Sequence, residues 1–238
     1  MNKTWGIIVD TTLQGAHTAL VNIDTDNSKL IQVSSCHDNY SSAAKLAVNV
    51  EKMLEIYDLD MNDVSHVLLA NGPGTFTGIK IGLSFVSALS LANRNLKVIT
   101  LSSLEAFSKD RKQSNLSFIP ATKTQGYACF FDGEKSELFS VEIKDSGLVF
   151  KRENSNDILG LNDFNTKTMI TLKPWPNLQA VVSDELETME LVNSTYQSII
   201  SLHNVVDWSE AKVKEDIEPR YLRRSAPEEK LIKEGKLS

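Results

Sequence analysis

Cysteine and histidine are scarce in this 238-residue chain, and their spacing does not suit a metal site. The two cysteines, Cys36 and Cys129, are too few and too far apart for a zinc site built from paired C-x-x-C motifs. The four histidines form neither an H-x-x-x-H nor an H-E-x-x-H motif. Each cysteine lies in apolar sequence, so we expect two buried thiols and no bound metal.

Long apolar runs and an excess of positive charge are also lacking. The run at residues 5–9 ends at Asp10, too early for a signal peptide, and no stretch approaches the roughly 20 apolar residues of a membrane span. The net charge is -6, whereas a protein that binds nucleic acid by itself usually has a basic surface, since phosphate contacts dominate affinity. These absences favour a cytoplasmic protein, away from membranes, that meets RNA only through a partner.

What is present is a strand and helix pattern that begins twice. Periodicity predicts strands at 5–11, 18–23, 30–35, 64–70 and 97–101, helices at 41–57 and 79–92, and a third helix from a Ser102-x-x-Glu105 capping box. Three more strands follow at 116–121, 127–132 and 138–143. The repeated three-strand opening suggests a duplicated α/β unit. We predict one lobe at 1–108, a smaller lobe at 109–206 and a charged tail at 207–238 that lies over the body.

The second half is less regular. Residues 145–177 are polar and predict an irregular loop, with prolines on either side of Trp175. A strand is predicted at 179–183 and a helix at 187–202.

A glycine-rich turn between the strand at 64–70 and the next helix has the most specific pattern in the chain. Its residues are Gly72, Pro73, Gly74, Thr75, Phe76, Thr77 and Gly78. Backbone N–H groups in such a turn can meet an anion, and Thr77 is a candidate helix cap. The turn has no Gly-Lys-Ser/Thr ending, however, so a turn shaped only for packing is the alternative.

The helix after the turn carries no charge from Ile81 to Asn93. A helix that is apolar on all sides is either a core helix covered by its own chain or a helix covered by a partner. The second alternative predicts an interface shared with the helix at 41–57. Its residues would be Ile81, Gly82, Phe85, Ala88, Leu89, Ala92, Leu46, Val50 and Met53.

Two further positions are candidates for function. Asp10 and Thr11 follow the first strand, where an aspartate either binds a metal or phosphate or caps the turn. Near the end of the chain, Arg220, Arg223 and Arg224 are either a solvated terminus or a nucleic-acid patch.

The segment from Gly72 to Gly82 resembles the G-P-G-S-F-T-G-x-R-x-G motif of the TsaB (YeaZ) family, with threonine for serine and lysine for arginine. Asp10-Thr11 and the Leu101-Ser102-Ser103-Leu104 segment fall at matching places, and Pro219, Tyr221, Leu222 and Arg223 resemble its P-x-Y-L-R close. Differences at Tyr40, Asn71 and 120–122 mark a diverged member.

The resemblance implies an actin-like (ASKHA) α/β fold, a duplicated ribonuclease-H-type unit in two lobes with mixed sheets. It implies a non-catalytic subunit that works with TsaD and TsaE in transferring threonylcarbamoyl to the adenosine beside the anticodon of tRNA. It also implies a homodimer when TsaD is absent, no tightly bound cofactor, and ATP or ADP only within the complex. The alternatives are an actin-like phosphotransferase that binds ATP and a metallopeptidase-like enzyme.

Overall fold

The structure is a computed structural model, and the residues it describes form two mixed β-sheets and five α-helices. It describes residues 4–13, 15–24, 28–36, 42–152, 155, 157–166, 168–172, 174–182, 188–192, 196–213 and 217–221. The α/β class with mixed sheets that the sequence predicts is confirmed.

The first sheet has six strands in the order β13-β5-β4-β1-β2-β3. The strands are β1 (Thr4–Asp10), β2 (Ala16–Ile23), β3 (Lys29–Cys36), β4 (Val64–Ala70), β5 (Lys97–Leu101) and β13 (Lys212–Val213). Strands β1, β4 and β5 are parallel, so their carboxyl ends meet at one edge of the sheet. That edge carries the glycine turn and Asp10.

The second sheet has seven strands in the order β10-β9-β8-β7-β6-β11-β12. They are β6 (Asn115–Pro120), β7 (Gln125–Phe131), β8 (Ser136–Lys144), β9 (Gly147–Arg152), β10 (Ile158–Leu159), β11 (Thr168–Thr171) and β12 (Thr188–Leu191). Short 3-10 helices at Leu161–Asp163 and Trp208–Glu210 complete the regular structure of the described residues.

Helices cover both sheets and also lie between them. The helices are α1 (Ser42–Glu55), α2 (Phe76–Ala92), α3 (Ser103–Asp110), α4 (Pro176–Val182) and α5 (Gln197–Val205). α1 and α2 pack on the outer side of the first sheet, and α4 packs on the outer side of the second. α3 and α5 pack against each other between the sheets.

Each of the two helices between the sheets, α3 and α5, packs on strands of the sheet other than the one whose strand comes directly before it in the chain. α3 packs on β6, β7 and β8 of the second sheet, whereas α5 packs on β1 and β2 of the first. The lobe limits 1–108, 109–206 and 207–238 therefore stay a prediction. No described helix is both long enough and apolar enough to cross a membrane.

The irregular loop predicted at 145–177 is wrong for most of its length. β9 pairs with β8 as a hairpin, and β11 lies parallel to β6 inside the sheet. β9 was missed because only Leu148 and Phe150 point inward, too few for a clear alternation. Trp175, between the prolines, is buried at 2% exposure and donates its indole N–H to the Lys123 carbonyl at 2.8 Å.

The strand predicted at 179–183 is also wrong, and the helix predicted at 187–202 is confirmed only from Gln197 on. Pro176 begins α4, where its missing N–H costs nothing, and Leu178 and Val182 are buried four residues apart on one helical face. Residues 188–191 form β12, parallel to β11, and the helix begins later at Gln197. Residues 188–191 alternate polar and apolar side chains over four positions only, too few to decide between a strand and a helix.

The expectation of two buried thiols holds for one cysteine only. Cys129 lies in β7 between α3 and the second sheet, and burial raises the pKa of its thiol to about 12. Cys36 ends the edge strand β3 and is partly exposed.

Candidate functional site

The glycine turn connects β4 to α2 and is capped by Thr75. The Thr75 hydroxyl accepts a hydrogen bond from the Gly78 N–H at 3.1 Å, so Thr75, and not Thr77, is the N-cap. Gly72 has φ +127°, a conformation that side chains rarely adopt.

Gly74, just before α2, and Gly78, in its first turn, face the loop that follows β1. A Cβ atom on Gly74 would lie 2.1 Å from the Thr12 carbonyl oxygen, and one on Gly78 would lie 1.9 Å from that of Thr11. Thr11 also donates its hydroxyl proton to the Gly78 carbonyl at 2.7 Å, and the Thr75 N–H donates to the Thr12 carbonyl at 2.8 Å. The start of α2 is therefore packed directly against backbone, and packing accounts for the glycine at both positions.

Asp10 is fully buried at the end of β1 and caps the loop after it. Its Oδ1 atom accepts hydrogen bonds from the Thr12 N–H at 2.9 Å and the Thr12 hydroxyl at 2.6 Å, and Thr12 meets the Ser103 hydroxyl at 3.0 Å. Asp10 Oδ2 has no hydrogen-bond partner among the described residues. Nor do three potential ligands among histidine, cysteine and acidic side chains come together in the described part of the chain.

The C-terminal residues 217–221 cross the glycine turn. The Arg220 N–H donates to the Asn71 carbonyl at 2.8 Å, and a Cβ on Gly72 would lie 2.5 Å from the Arg220 carbonyl oxygen. The ring of Tyr221 lies 5.1 Å from that of Phe76, the first residue of α2. Pro219 is half-buried, while Leu222, Arg223 and Arg224 lie outside the described residues.

Arg220 is not a solvated end. Its guanidinium forms an ion pair with Glu105 at 2.6 Å, and Glu105 also accepts a hydrogen bond from Ser136 at 3.0 Å. The expected capping box is only half formed. Ser102 caps α3 by accepting from the Glu105 N–H at 3.1 Å, but the Glu105 carboxylate binds Arg220 and Ser136 and does not complete the box. Because its charge is paired with Glu105, Arg220 does not support the nucleic-acid patch considered from the sequence.

The outer side of α2 is apolar and open. Leu91 is 70% exposed and Ala88 and Ala92 are exposed, while Ile81, Phe85 and Leu89 are partly buried. Four other predicted interface residues lie inside the chain: Gly82, Leu46, Val50 and Met53. The three large ones belong to the core of the first sheet because they occupy the inner face of α1, so they support an interface without forming its surface.

A groove of about 610 Å³ separates α1 from α2. Its lining residues are Leu46, Phe76, Thr77, Lys80, Ile81, Ser84 and Phe85. Lys80 holds its ammonium group 4.2 Å from the centre of the Phe76 ring, and Phe76 is 41% exposed. The groove is thus mainly apolar, with a cation near its aromatic end.

Comparison with known proteins identifies the family. Residues 39–164, more than half of the chain, match the family described as TsaD, tRNA N6-adenosine threonylcarbamoyltransferase. A protein of Buchnera aphidicola (Schizaphis graminum), "tRNA threonylcarbamoyladenosine biosynthesis protein TsaB", is 22% identical over 135 residues, which cover 55% of this chain and 59% of that protein. The chain therefore belongs to the family that this model describes, and its similarity to a TsaB protein agrees with the resemblance seen in the sequence.

Solved TsaB-type structures share the fold. YeaZ from Pseudomonas aeruginosa aligns over 92% of this chain and 100% of its own, with a TM-score of 0.59 and 16% identity. A second Pseudomonas aeruginosa structure, described as similar to peptidase YeaZ, gives the same coverage and TM-score at 15% identity. The two structures therefore share the fold of this chain.

Sequence reasoning missed the role of Glu105. The residue was noticed as part of a capping box, but its partners Arg220 and Ser136 are 115 and 31 residues away. No local spacing links such positions.

Proposed function

We propose that this chain is a non-catalytic subunit in the biosynthesis of threonylcarbamoyladenosine in tRNA. In this proposal it docks a TsaD homologue through the outer side of α2 and the groove beside it. A TsaE homologue belongs to the same assembly, and tRNA is met through these partners. The observation that carries the proposal is the open apolar side of α2 in a chain of this family.

The exposed side of α2 is costly to leave in water. Burying apolar surface contributes about 25 cal/mol per Å², so covering the face around Leu91, Ala88 and the groove favours association before the entropic costs of binding. Ala88, Ala92 and Ser84 are small and exposed, which lets a partner helix approach α2 closely. The supported interaction is therefore helix against helix.

The packing at the glycine turn supports a subunit without phosphate chemistry of its own. The carbonyl oxygens of Thr11 and Thr12 lie against Gly78 and Gly74, where a phosphate would have to approach. Carbonyl oxygens carry partial negative charge, so they repel an anion, and the Thr75 N–H is already bonded to Thr12. ATP or ADP is accordingly proposed only at a surface that the partner completes.

The decisive variant is Ala88→Arg, which places a long charged side chain on the exposed side of α2. Its matched control is Ala180→Arg, an exposed alanine on α4 of the second lobe. Both variants are mixed with the TsaD homologue of the same organism, and complex formation is followed by sedimentation velocity. Thermal unfolding of each variant alone is measured in parallel.

We expect Ala88→Arg to keep the parent's melting temperature and lose the complex, while Ala180→Arg keeps both. A complex that survives in Ala88→Arg overturns the docking surface. If Ala88→Arg unfolds in the absence of a partner, Ala88 is part of the core and the docking surface is also overturned. Isothermal titration with ATP and Mg²⁺ tests the phosphotransferase alternative, which requires tight binding by the isolated chain.

A further inference from the structure

Residues 217–221 are held at three separate points of the fold. Ile217 packs on the core of the first sheet, and Arg220 binds the Asn71 carbonyl in the glycine turn through its backbone. The third point is the ion pair between Arg220 and Glu105 on α3. The first two contacts hold the segment on the first sheet, and the third connects it to α3.

Glu105 stands where the two lobes meet. It lies in the first turn of α3, which packs between the sheets, and its Oε1 atom accepts from Ser136 at the start of β8 at 3.0 Å. Its Oε2 atom accepts from Arg220 at 2.6 Å. One carboxylate therefore joins the C-terminal segment to the second sheet.

We propose that residues 217–221 form a latch that keeps the second sheet closed on α3, with Arg220 as the residue that fastens it. Glu105 is only 19% exposed at its side chain, so losing Arg220 leaves a poorly solvated carboxylate at the junction of the lobes. Separating the second sheet from α3 would let water reach this carboxylate. The latch thus sets how often the two lobes part.

The chain carries a reporter for this opening. Cys129 is fully buried in the apolar cluster that joins α3 to the second sheet, together with Leu104 and Phe107 of α3. A thiol reagent reaches Cys129 only when that cluster opens. In a Cys36→Ser background Cys129 is the single thiol of the chain, since the sequence has two cysteines.

The experiment follows modification of Cys129 by N-ethylmaleimide, measured by mass spectrometry, in the full chain. We expect Arg220→Gln and Glu105→Gln each to speed modification about tenfold, the size expected when a hydrogen bond between charged groups is lost. Glu105→Gln keeps an oxygen for Ser136, so it isolates the ion pair. The double variant should be no faster than either single one, because both remove the same interaction.

Arg152→Gln is the matched control. Arg152 pairs with Glu137 and Asp157, all within or beside the second sheet, so its loss does not release α3. We expect its rate to stay within about twofold of the parent. An equal rate in the parent and Arg220→Gln overturns the latch. The latch is also overturned if the modification rate of Arg220→Gln depends on urea as steeply as the global unfolding equilibrium does. That steepness would mean that Cys129 is reached by unfolding of the whole chain and not by opening of the lobe junction.

Discussion

At the scale of single residues, the glycines of α2 are explained by what lies against them. Gly78 and Gly82 in α2, and Gly74 just before it, are four residues apart, and each faces Thr11 or Thr12. A side chain at any of them would push the helix away from the loop after β1. Close packing on the loop after β1 therefore accounts for these glycines, including the two in the turn that the sequence also offered as an anion site.

The first prediction concerns Gly78→Ala. The added Cβ would lie 1.9 Å from the Thr11 carbonyl oxygen, and backbone cannot move aside as a flexible side chain can. We expect the free energy of unfolding to fall by about 2–3 kcal/mol, measured by urea denaturation.

Gly160→Ala is the control for Gly78→Ala. The nearest atom to a Cβ there is Asp163 Oδ2 at 3.8 Å, an ordinary contact. Its effect should stay within about 0.5 kcal/mol of the parent. Equal losses in the two variants would mean that glycine content, and not the contact with Thr11, sets the cost.

The second prediction concerns His66 and pH. Burial, and next the charge of Lys97 opposite it on β5, lower the pKa of His66 below 6.5 in the folded chain. The unfolded chain then binds the proton more readily, so the free energy of unfolding falls as pH drops below 6.5 towards the folded pKa. Above 6.5 this contribution is fully present.

Urea denaturation of the parent and His66→Asn between about pH 7.5 and 5.5 checks this expectation. The variant keeps a polar group near Ser65, whose hydroxyl meets His66 Nδ1 at 2.8 Å, but it cannot titrate. We expect a shallower loss of stability with falling pH in His66→Asn than in the parent. Parallel curves would assign the pH dependence to other groups.

At the scale of elements, α4 shows how tertiary contacts decide a short segment. Its buried residues, Leu178 and Val182, complete the outer core of the second sheet together with Trp175. The Trp175 ring also packs on Gly126, where a Cβ would lie 2.6 Å from it. Trp175 therefore anchors the segment that the sequence predicted as a loop.

The third prediction separates packing from hydrogen bonding at Trp175. Trp175→Ala should lower the free energy of unfolding by about 3–5 kcal/mol, because it leaves a large cavity. Trp175→Phe should cost about 1–2 kcal/mol, since it keeps most of the ring and loses the bond to the Lys123 carbonyl. Equal losses of unfolding free energy in Trp175→Ala and Trp175→Phe, measured by urea denaturation, would contradict a packing role for the ring.

At the scale of the whole molecule, the layers leave the outer side of α2 without a cover from the described part of the chain. α3, α4 and α5 are used between or behind the sheets, and α1 contacts α2 along one side only. The exposed apolar side then faces water or another chain. This arrangement motivates both the docking proposal and the homodimer expected when a TsaD homologue is absent.

The fourth prediction is that the isolated chain dimerises through α2 in a concentration-dependent way. Because the surface is mainly apolar, raising the salt concentration from about 0.1 to 0.5 M should not weaken the dimer. Sedimentation velocity over a range of concentrations measures both effects, with Ala180→Arg as the control and Ala88→Arg as the monomeric variant. A dimer that dissociates in salt would point to charged contacts elsewhere.

The sequence by itself determined the elements with strong local patterns. The strands at 64–70 and 97–101 have the predicted bounds, Ser102 caps α3 as predicted, and the glycine turn indicated the family. These features depend on residues two to four positions apart, which the backbone brings together wherever the segment lies. Segments with only two inward residues, such as β9, lack that local information.

Only the tertiary structure decided what each motif is used for. Thr11 and Gly78 are 67 residues apart, and Arg220 and Glu105 are 115 apart, so no local spacing predicts either contact. The same holds for the helix faces: Gly82 is buried and Ala88 exposed because the first sheet covers one side of α2. Periodicity shows that a helix has an apolar side, but when all sides are apolar, the neighbouring sheet decides which of them is left for a partner.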